Sequence, residues 1–459
     1  MPHSRQEKPL TERLKAFFRV GKTSGFPDPA SYELQLSPET VEELSSQQTT
    51  PSRLRVLREL SGQVKVKRLP CHGVELLWWK VQDLLEPGQE RETRHAVLEF
   101  LTLLVVGQYN SLDMMRPVLF NFIRDHKVQE DCDKKVSLLV AMTDNGKDII
   151  HIEEQVGPLL LELFQVGDSL VMEQLLVFTS NMVKYNSAYL GQTVVSALIL
   201  NLDRLSCNSK SDTNILLSLE IFKCIIMYSY VPPEALVPFI SCICKVVNLN
   251  NISSEAWDTM RKLMGSHLGH SALYQLCQII QSPENMTDTA LIRGAVFFIG
   301  GSVWGPQRIK SLEYSPMAVL PVFCTALATS HQLVLYEVVT QVERLVTQHQ
   351  DNIKAPSWEE ALTVLELLVT KLGLLDAKHK EVVHQHLQAT IGQMEKLAET
   401  DSYAGSRTRL YSLVESVSSI SPDSSVIQLI EVSGCGFLSL YFITREVKCF
   451  ALREAESRV

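Results

Sequence analysis

The chain has 459 residues, of which 45% are apolar and 21% charged. That length and apolar content support a large buried core and exclude general disorder. Its 52 acidic residues outnumber 43 basic ones for a formal charge of −9, which argues against a chain whose main task is wrapping nucleic-acid phosphates and leaves only local basic patches open.

Residues 1–36 begin with Met1-Pro-His-Ser-Arg-Gln6, which lacks the apolar core of a secretory signal. They contain one basic amphipathic stretch, Leu10–Val20, followed by the breaker-rich run Gly21–Pro29, so a small helix and then a loop are expected. From Ser37 onward, apolar residues recur at helical spacing, stop at polar or Pro/Gly-containing links, and resume. The clearest stripes are Arg94–Val106, Leu112–Arg124, Lys134–Thr143, Val156–Leu163, Leu170–Tyr185, Thr193–Leu205 and Thr213–Tyr228. They continue as Glu234–Val247, Glu255–Met264, Ser271–Ile280, Met317–Ala328, Gln332–Thr347, Trp358–Leu372 and Glu381–Glu399.

Local signals set several boundaries. Asp144-Asn145-Gly146 reads as a turn, and Pro232-Pro233 separates two helices because proline fits a first turn but not a helix interior. Ser357 with Glu360 three residues later reads as a capping box for Trp358–Leu372, with Gly373 as a left-handed stop. No sustained alternation of period two suggests strands. Helix starts recur about every 20 residues, so a pair takes about 40, near the HEAT and armadillo period of roughly 40 to 47. The expected fold is all-α, a HEAT/armadillo-like alpha-solenoid superhelix over residues 37–430; the rival is a globular all-helical enzyme.

Catalytic and ligand-binding signals are absent from this pattern. There is no phosphate-cradling glycine loop, and Gly300, Gly301 and Gly305 lie in an apolar, aromatic stretch better explained by close helix packing. Cys242 and Cys244, like His384 and His386, are two residues apart and so point to different sides of a helix; His267 and His270 share a face without further ligands. Ser271 has no nucleophile elbow, and Glu90–His95 and Glu153-Glu154 read as solvated faces or ion pairs. No catalytic, cofactor-binding or metal residue is therefore assigned, and no cofactor is expected. The ten cysteines lie mostly in apolar stretches, as small core residues of a reduced, cytoplasmic protein do. No apolar run reaches the roughly 20 residues that span a bilayer, so any membrane association is expected to be peripheral. Two basic stretches, Arg5–Arg19 and Arg53–Arg68, read as solvated faces or as contacts for an acidic partner or an anionic surface.

Leu263-Met-Gly-Ser-His-Leu-Gly-His-Ser-Ala-Leu-Tyr274, with Leu291-Ile-Arg-Gly-Ala-Val-Phe-Phe-Ile299 and Trp304-Gly305, resembles the middle of the N-terminal region of the tuberin family. Glu92–Leu98, Leu139–Gly146, Met182–Leu190, Ser315-Pro316 and Val319–Pro321 extend the resemblance, which runs in order from about Thr11 to about Ile430. The resemblance implies a HEAT-like solenoid that scaffolds the tuberous sclerosis complex with hamartin. It also implies negative regulation of TOR signalling through the small GTPase Rheb, in the cytosol and, through the complex, peripherally at lysosomal membranes. The family's GTPase-activating domain and its catalytic asparagine match no residue here, so Rheb is expected as a partner through the full-length complex only. The alternatives are a contributor to GTPase activation on Rheb and an independent structural helical protein. Residues 431–459 depart from the family pattern and are expected to form a divergent, poorly packed tail.

Overall fold

The computed structural model describes residues 33–419 except 168, 313–314, 351–352 and 401, and only the backbone of 169–170. The stretch Leu10–Val20 and the tail 431–459 lie outside the described residues. Among those described, the regular secondary structure is helical apart from one isolated β-bridge between Glu33 and Arg68, and turns and short irregular links join the helices. The chain divides into two compact units, one ending at Leu119 and the other beginning at Phe120.

The first unit holds α1 (Pro38–Glu43), α2 (Thr50–Val64), α3 (Gly73–Val81) and α4 (Arg91–Gly107), and α5 (Met115–Asp125) begins in it. Val56, Leu57, Leu60 and Val64 of α2 are buried against α4, which contributes Val97, Leu98, Leu101, Leu104 and Val105. Gly107 ends α4 so close to the end of α2 that a Cβ would lie 2.0 Å from the Val64 carbonyl oxygen. The adjacent Gln108 side chain donates to the Val64 and Lys67 carbonyls at 2.9 and 2.7 Å and accepts from the Leu69 amide at 2.9 Å. One buried amide thus satisfies backbone groups that the end of α2 would otherwise leave orphaned. At the other end, Arg53 is buried and makes a two-pronged contact with Asp83, at 2.8 and 2.6 Å, while donating to the Lys80 carbonyl.

The second unit runs through α6 (Cys132–Met142), α7 (Val156–Val166), α8 (Ser169–Asn186), α9 (Gln192–Asn208), α10 (Asp212–Tyr228), α11 (Leu236–Val246) and α12 (Ser253–Met264). It continues with α13 (Gly269–Gln281), α14 (Thr289–Val303), α15 (Pro316–Leu327), α16 (Gln332–Gln348), α17 (Ala355–Lys371), α18 (Ala377–Glu399) and α19 (Arg407–Ser418). Helices two apart stack side by side, so α7, α9, α11, α13, α15, α17 and α19 form one layer and α6 to α18 in even steps the other. Each helix buries one stripe between the layers, the HEAT/armadillo-like α-solenoid the periodicity predicts. Large side chains such as Phe178, Phe222, Phe239, Phe298, Phe323, Trp304 and Trp358 fill that interior.

Every residue of α14 from Leu291 to Val303 is buried. A helix covered on all sides carries no amphipathic stripe, which is why this one stands outside the clear periodic segments. Its glycines make the coverage possible: a Cβ on Gly294 would lie 2.0 Å from the Cys244 carbonyl oxygen of α11, on Gly300 2.2 Å from Gln341 Oε1 of α16, and on Gly301 2.8 Å from the Trp257 ring of α12.

The capping box at Ser357 does not form. The helix begins three residues before the predicted start at Trp358, at Ala355 with Pro356 in its first turn, and Ser357 is buried inside it. Proline's fixed φ starts the helix without a cap. Gly373 has no left-handed backbone; it lies in a 3₁₀ turn, Leu372–Leu374, that continues α17. Caps of the expected kind do occur elsewhere, with Asp288, Asp376 and Ser406 accepting from Leu291, His379 and Arg409 amides at 3.1, 2.9 and 3.4 Å.

Two outcomes follow from this packing. Gly294→Ala is expected to cost about 1–3 kcal/mol by forcing α11 and α14 apart, whereas Gly392→Ala, where no atom lies within 4 Å of the new Cβ, should be neutral or stabilise by up to about 1 kcal/mol. Equal urea midpoints for the two variants would refute the close-crossing account. In the first unit, hydrogen bonds from Arg53 hold the Asp83 carboxyl below its ordinary pKa, so its stabilisation is complete above the unfolded value of about 3.9 and is lost as pH falls through the lower folded value. The stability gap between wild type and Asp83→Asn should therefore narrow on acidification below about pH 4; a gap constant in pH would count against it.

Candidate interaction surfaces

Two of the family-like segments meet in space. The loop after α6 carries Asp144, Asn145 and Gly146 at φ 45°, 57° and 82°, confirming the turn. Asn186, at the end of α8 and in the segment Met182–Leu190, donates to the Gly146 and Lys147 carbonyls at 2.9 and 3.1 Å, while Asn181 donates to the Asn145 carbonyl at 2.8 Å. Gly146 itself sits where a Cβ would lie 2.6 Å from the Phe178 carbonyl oxygen. A left-handed run that few sequences adopt is thus held by two asparagines of the neighbouring helix.

The segment Leu263–Tyr274 spans the end of α12, the turn 265–268 and the first six residues of α13. Ser266 Oγ donates to the Leu263 carbonyl at 2.7 Å and accepts from the Leu268 amide at 3.1 Å, and Gly269 lies against the Met264 carbonyl. His267, His270 and Ser271 are exposed and stand outside the core. The segment Leu291–Ile299 is the buried α14, where Arg293 Nε lies 3.4 Å from Glu337 and Gln341 Nε2 donates to Glu337 at 2.8 Å. Trp304 Nε1 donates to the Gln341 carbonyl at 2.9 Å. Ser315-Pro316 starts α15, with the serine accepting from the Met317 amide at 3.3 Å. Many of the residues that carry the family resemblance therefore make turns and helix crossings, while others in the same segments, such as His267, His270 and Tyr274, are exposed.

Among the described residues, no three His, Cys, Asp or Glu side chains converge to hold a metal ion. Cys242 and Cys244 are buried, and burial pushes both thiols well up; the Cys207 and Cys277 thiols are pushed up to about 11 by the same cause. Such thiols stay protonated and are poor nucleophiles at neutral pH. His384 is buried against the Val417 carbonyl at 3.1 Å, and His386 Nδ1 pairs with Glu343 of α16 at 2.5 Å. These two histidines serve different neighbours, as their spacing predicts. The basic stretch Arg53–Arg68 is only partly a solvated face: Arg55 pairs with Glu43 and Glu59 at the surface, but Arg53 is in the core.

What remains available is surface. In the first unit, α2 and α4 enclose a groove of about 630 Å³ floored by Leu54, Leu57, Phe100 and Leu103 and edged by Arg58 and Glu92. In the second, Ser180 of α8 and Cys224 of α10 lie 3.6 Å apart, so these helices run side by side to adjacent C-terminal ends. Those ends expose Tyr185, Tyr189, Met227, Tyr228 and Tyr230, each 42–57% accessible. Lys184 Nζ stands 5.4 Å above the Tyr185 ring. Exposed tyrosine and methionine are the side chains enriched at protein–protein contacts. The sequence singled out Tyr185 and Tyr189 only as part of the family-like segment Met182–Leu190 and did not join them to Met227, Tyr228 and Tyr230, because the cluster comes from two helices and the following loops. No described helix is long and apolar enough to cross a membrane.

Residues 50–435 match the family described as a Domain of unknown function (DUF3384), and the chain belongs to that family. It is 21% identical over 268 residues to the Tuberous sclerosis 2 protein homolog of Schizosaccharomyces pombe, covering 53% of this chain and 20% of that protein. The chain thus spans about a fifth of the length of that curated relative. Its fold is similar to the solved N-terminus of TSC2, with a TM-score of 0.70 at 18% identity, over 83% of this chain and all of the other. In sequence and fold, then, it is similar to the N-terminal region of tuberin.

Asn186→Ala should leave the Gly146 and Lys147 carbonyls without their buried donor, costing about 1–3 kcal/mol. Hydrogen exchange at residues 144–149 should accelerate more than in α16; uniform acceleration would show that Asn186 serves the whole unit and not this loop.

Proposed function

We propose that this member of the DUF3384 family is a non-catalytic scaffold segment of a tuberin-like protein, with residues 37–430 as its solenoid, that binds hamartin in the tuberous sclerosis complex. The observation that carries the proposal is the fold likeness spanning the whole solved N-terminus of TSC2, joined to sequence similarity with a Tuberous sclerosis 2 protein homolog. In this reading the chain acts by presenting a rigid helical surface, and restraint of TOR signalling through Rheb belongs to the full-length complex. The protein works in the cytoplasm and reaches the lysosomal membrane peripherally, through that complex.

The contact is assigned to the tyrosine-rich end of α8 and α10. Tyrosine loses few rotatable bonds on binding and offers both an apolar ring and a hydroxyl, which suits the exposed face of a helical partner. Solenoids favour such contacts because stacked repeats fix surface side chains across many helices without an enclosed pocket.

Co-precipitation of the full chain with hamartin should succeed, and the double variant Tyr185→Ala/Tyr228→Ala should reduce recovery on the order of tenfold or more with an unchanged urea midpoint. Failure of the wild-type chain to recover hamartin would sink the binding proposal, whereas full recovery by the variant would sink only the assigned surface. In a single-turnover assay, the chain should leave GTP hydrolysis by Rheb at its intrinsic rate; a large acceleration would make the chain itself an activator.

A further inference from the structure

The first unit has a second groove, of about 500 Å³, between the start of α3 and the start of α5. Leu69, Val74, Met114 and Val118 supply its apolar lining, and Glu75 and Asp113 are its acidic groups, beside His72. Met114 is 71% exposed, and nearby on the outer face of α3 Trp79 is 59% exposed. Leaving side chains of this size in water forgoes about 25 cal/mol for each Å² they could bury. The approaches to this groove are strained: His72 at φ 62° and Asp113 at φ 36° hold the left-handed backbone that turns the chain into α3 and α5. Non-glycine residues at such angles are costly and are retained where the surroundings fix the geometry of a surface.

The chain before α1 arrives at this groove. The Leu34 amide donates to the Arg68 carbonyl at 2.7 Å, and Glu33 bridges to Arg68, the residue before Leu69. The preceding sequence contains the stretch Leu10–Val20, in which Arg13, Lys15 and Arg19 outnumber Glu12, and Leu10, Leu14, Phe17 and Phe18 fall on one face at helical spacing. From Val20 to Glu33 the chain can reach at most about 45 Å, whereas an eleven-residue helix is about 16 Å long.

We propose that Leu10–Val20 docks as an amphipathic helix in the groove between the starts of α3 and α5, with Phe17 and Phe18 against Met114 and Val118 and its basic residues facing Glu75 and Asp113. The occupant follows from three observations: the groove is acidic where the stretch is basic, both carry apolar faces, and the anchored end of the intervening chain lies next to the groove. Docking is intramolecular, so the tether supplies a high effective concentration and modest contact energy suffices.

Hydrogen exchange of the full chain tests this. The double variant Phe17→Asp/Phe18→Asp should expose the groove and speed exchange of amides at 73–76 and 114–118 on the order of tenfold, with α16 unchanged. A second readout uses Cys71, which is exposed and lines the groove: Phe17→Cys should form an intramolecular disulfide with it under mild oxidation, and Cys71→Ser should abolish that product. Unchanged exchange in the aspartate variant overturns the proposal. So does a cross-link found only between chains, which would give the groove to a second copy. If the wild-type chain binds phosphatidylserine vesicles through Phe17 and Phe18 while groove exchange is the same in wild type and variant, the stretch serves a membrane surface and the proposal is likewise overturned.

Discussion

The second unit is built around a helix that has no outside. Because α14 is buried along its whole central length, its neighbours α11, α12 and α16 must approach it from separate directions, and the distance of each approach is fixed by a glycine. At Gly294 and Gly300 the neighbouring atoms occupy the space a Cβ would need. Surface helices of a solenoid tolerate a change of side-chain volume by moving outward; α14 cannot, because movement away from one neighbour is movement into another. The same enclosure explains the polar line from Arg293 through Glu337 to Gln341. Burying Glu337 without partners would be costly, but the guanidinium and the amide satisfy it. Such a line also discriminates between registers, since sliding α16 by one turn against α14 would part the buried carboxylate from the Arg293 guanidinium and leave it only the amide of Gln341 on its own helix.

The sequence made most of this fold legible where helices have a wet side. Leu170–Tyr185, Thr213–Tyr228 and Gln332–Thr347 show apolar residues on one stripe, and the helices observed there begin and end within a few residues of those limits. The stripe fails at α14, whose dryness removes the contrast that a periodic reading needs, and at α3, which is too short to establish a period. The glycines of α14 were nonetheless readable as packing glycines, because an apolar setting leaves them nothing to cradle. Misreading Ser357 as a cap has a different cause. The cap residues and the proline compete for the same helix start, and proline at the first turn moves the boundary before the serine can act.

The surface was less legible for a geometric reason. Tyr185 and Tyr228 are more than forty residues apart, and only the stacking of α8 on α10 brings their ends together. A reading along one chain sees each as an ordinary residue near a helix end. The segments that did stand out, such as Leu139–Gly146 and Met182–Leu190, are those whose backbone demands unusual residues: a left-handed run and the asparagines that hold it. In these two segments the backbone geometry itself asks for particular residues, and a family resemblance of this kind reports architecture before it reports contacts.

This division has a physical consequence for how such a chain can evolve partners. In a stacked-helix protein each element touches mainly its neighbours, so stability is a sum of local terms and a surface change perturbs little beyond its own repeat. The turn at Gly146 and the crossing at Gly294 constrain backbone geometry and allow few substitutions, whereas Tyr185, Met227 and Tyr228 at the ends of α8 and α10 are exposed side chains outside the core. Partner contacts can then change by surface substitution while the scaffold stays fixed. A fold shared at 18% identity is what such an architecture allows, since local crossings and turns can hold the stack while surface positions change.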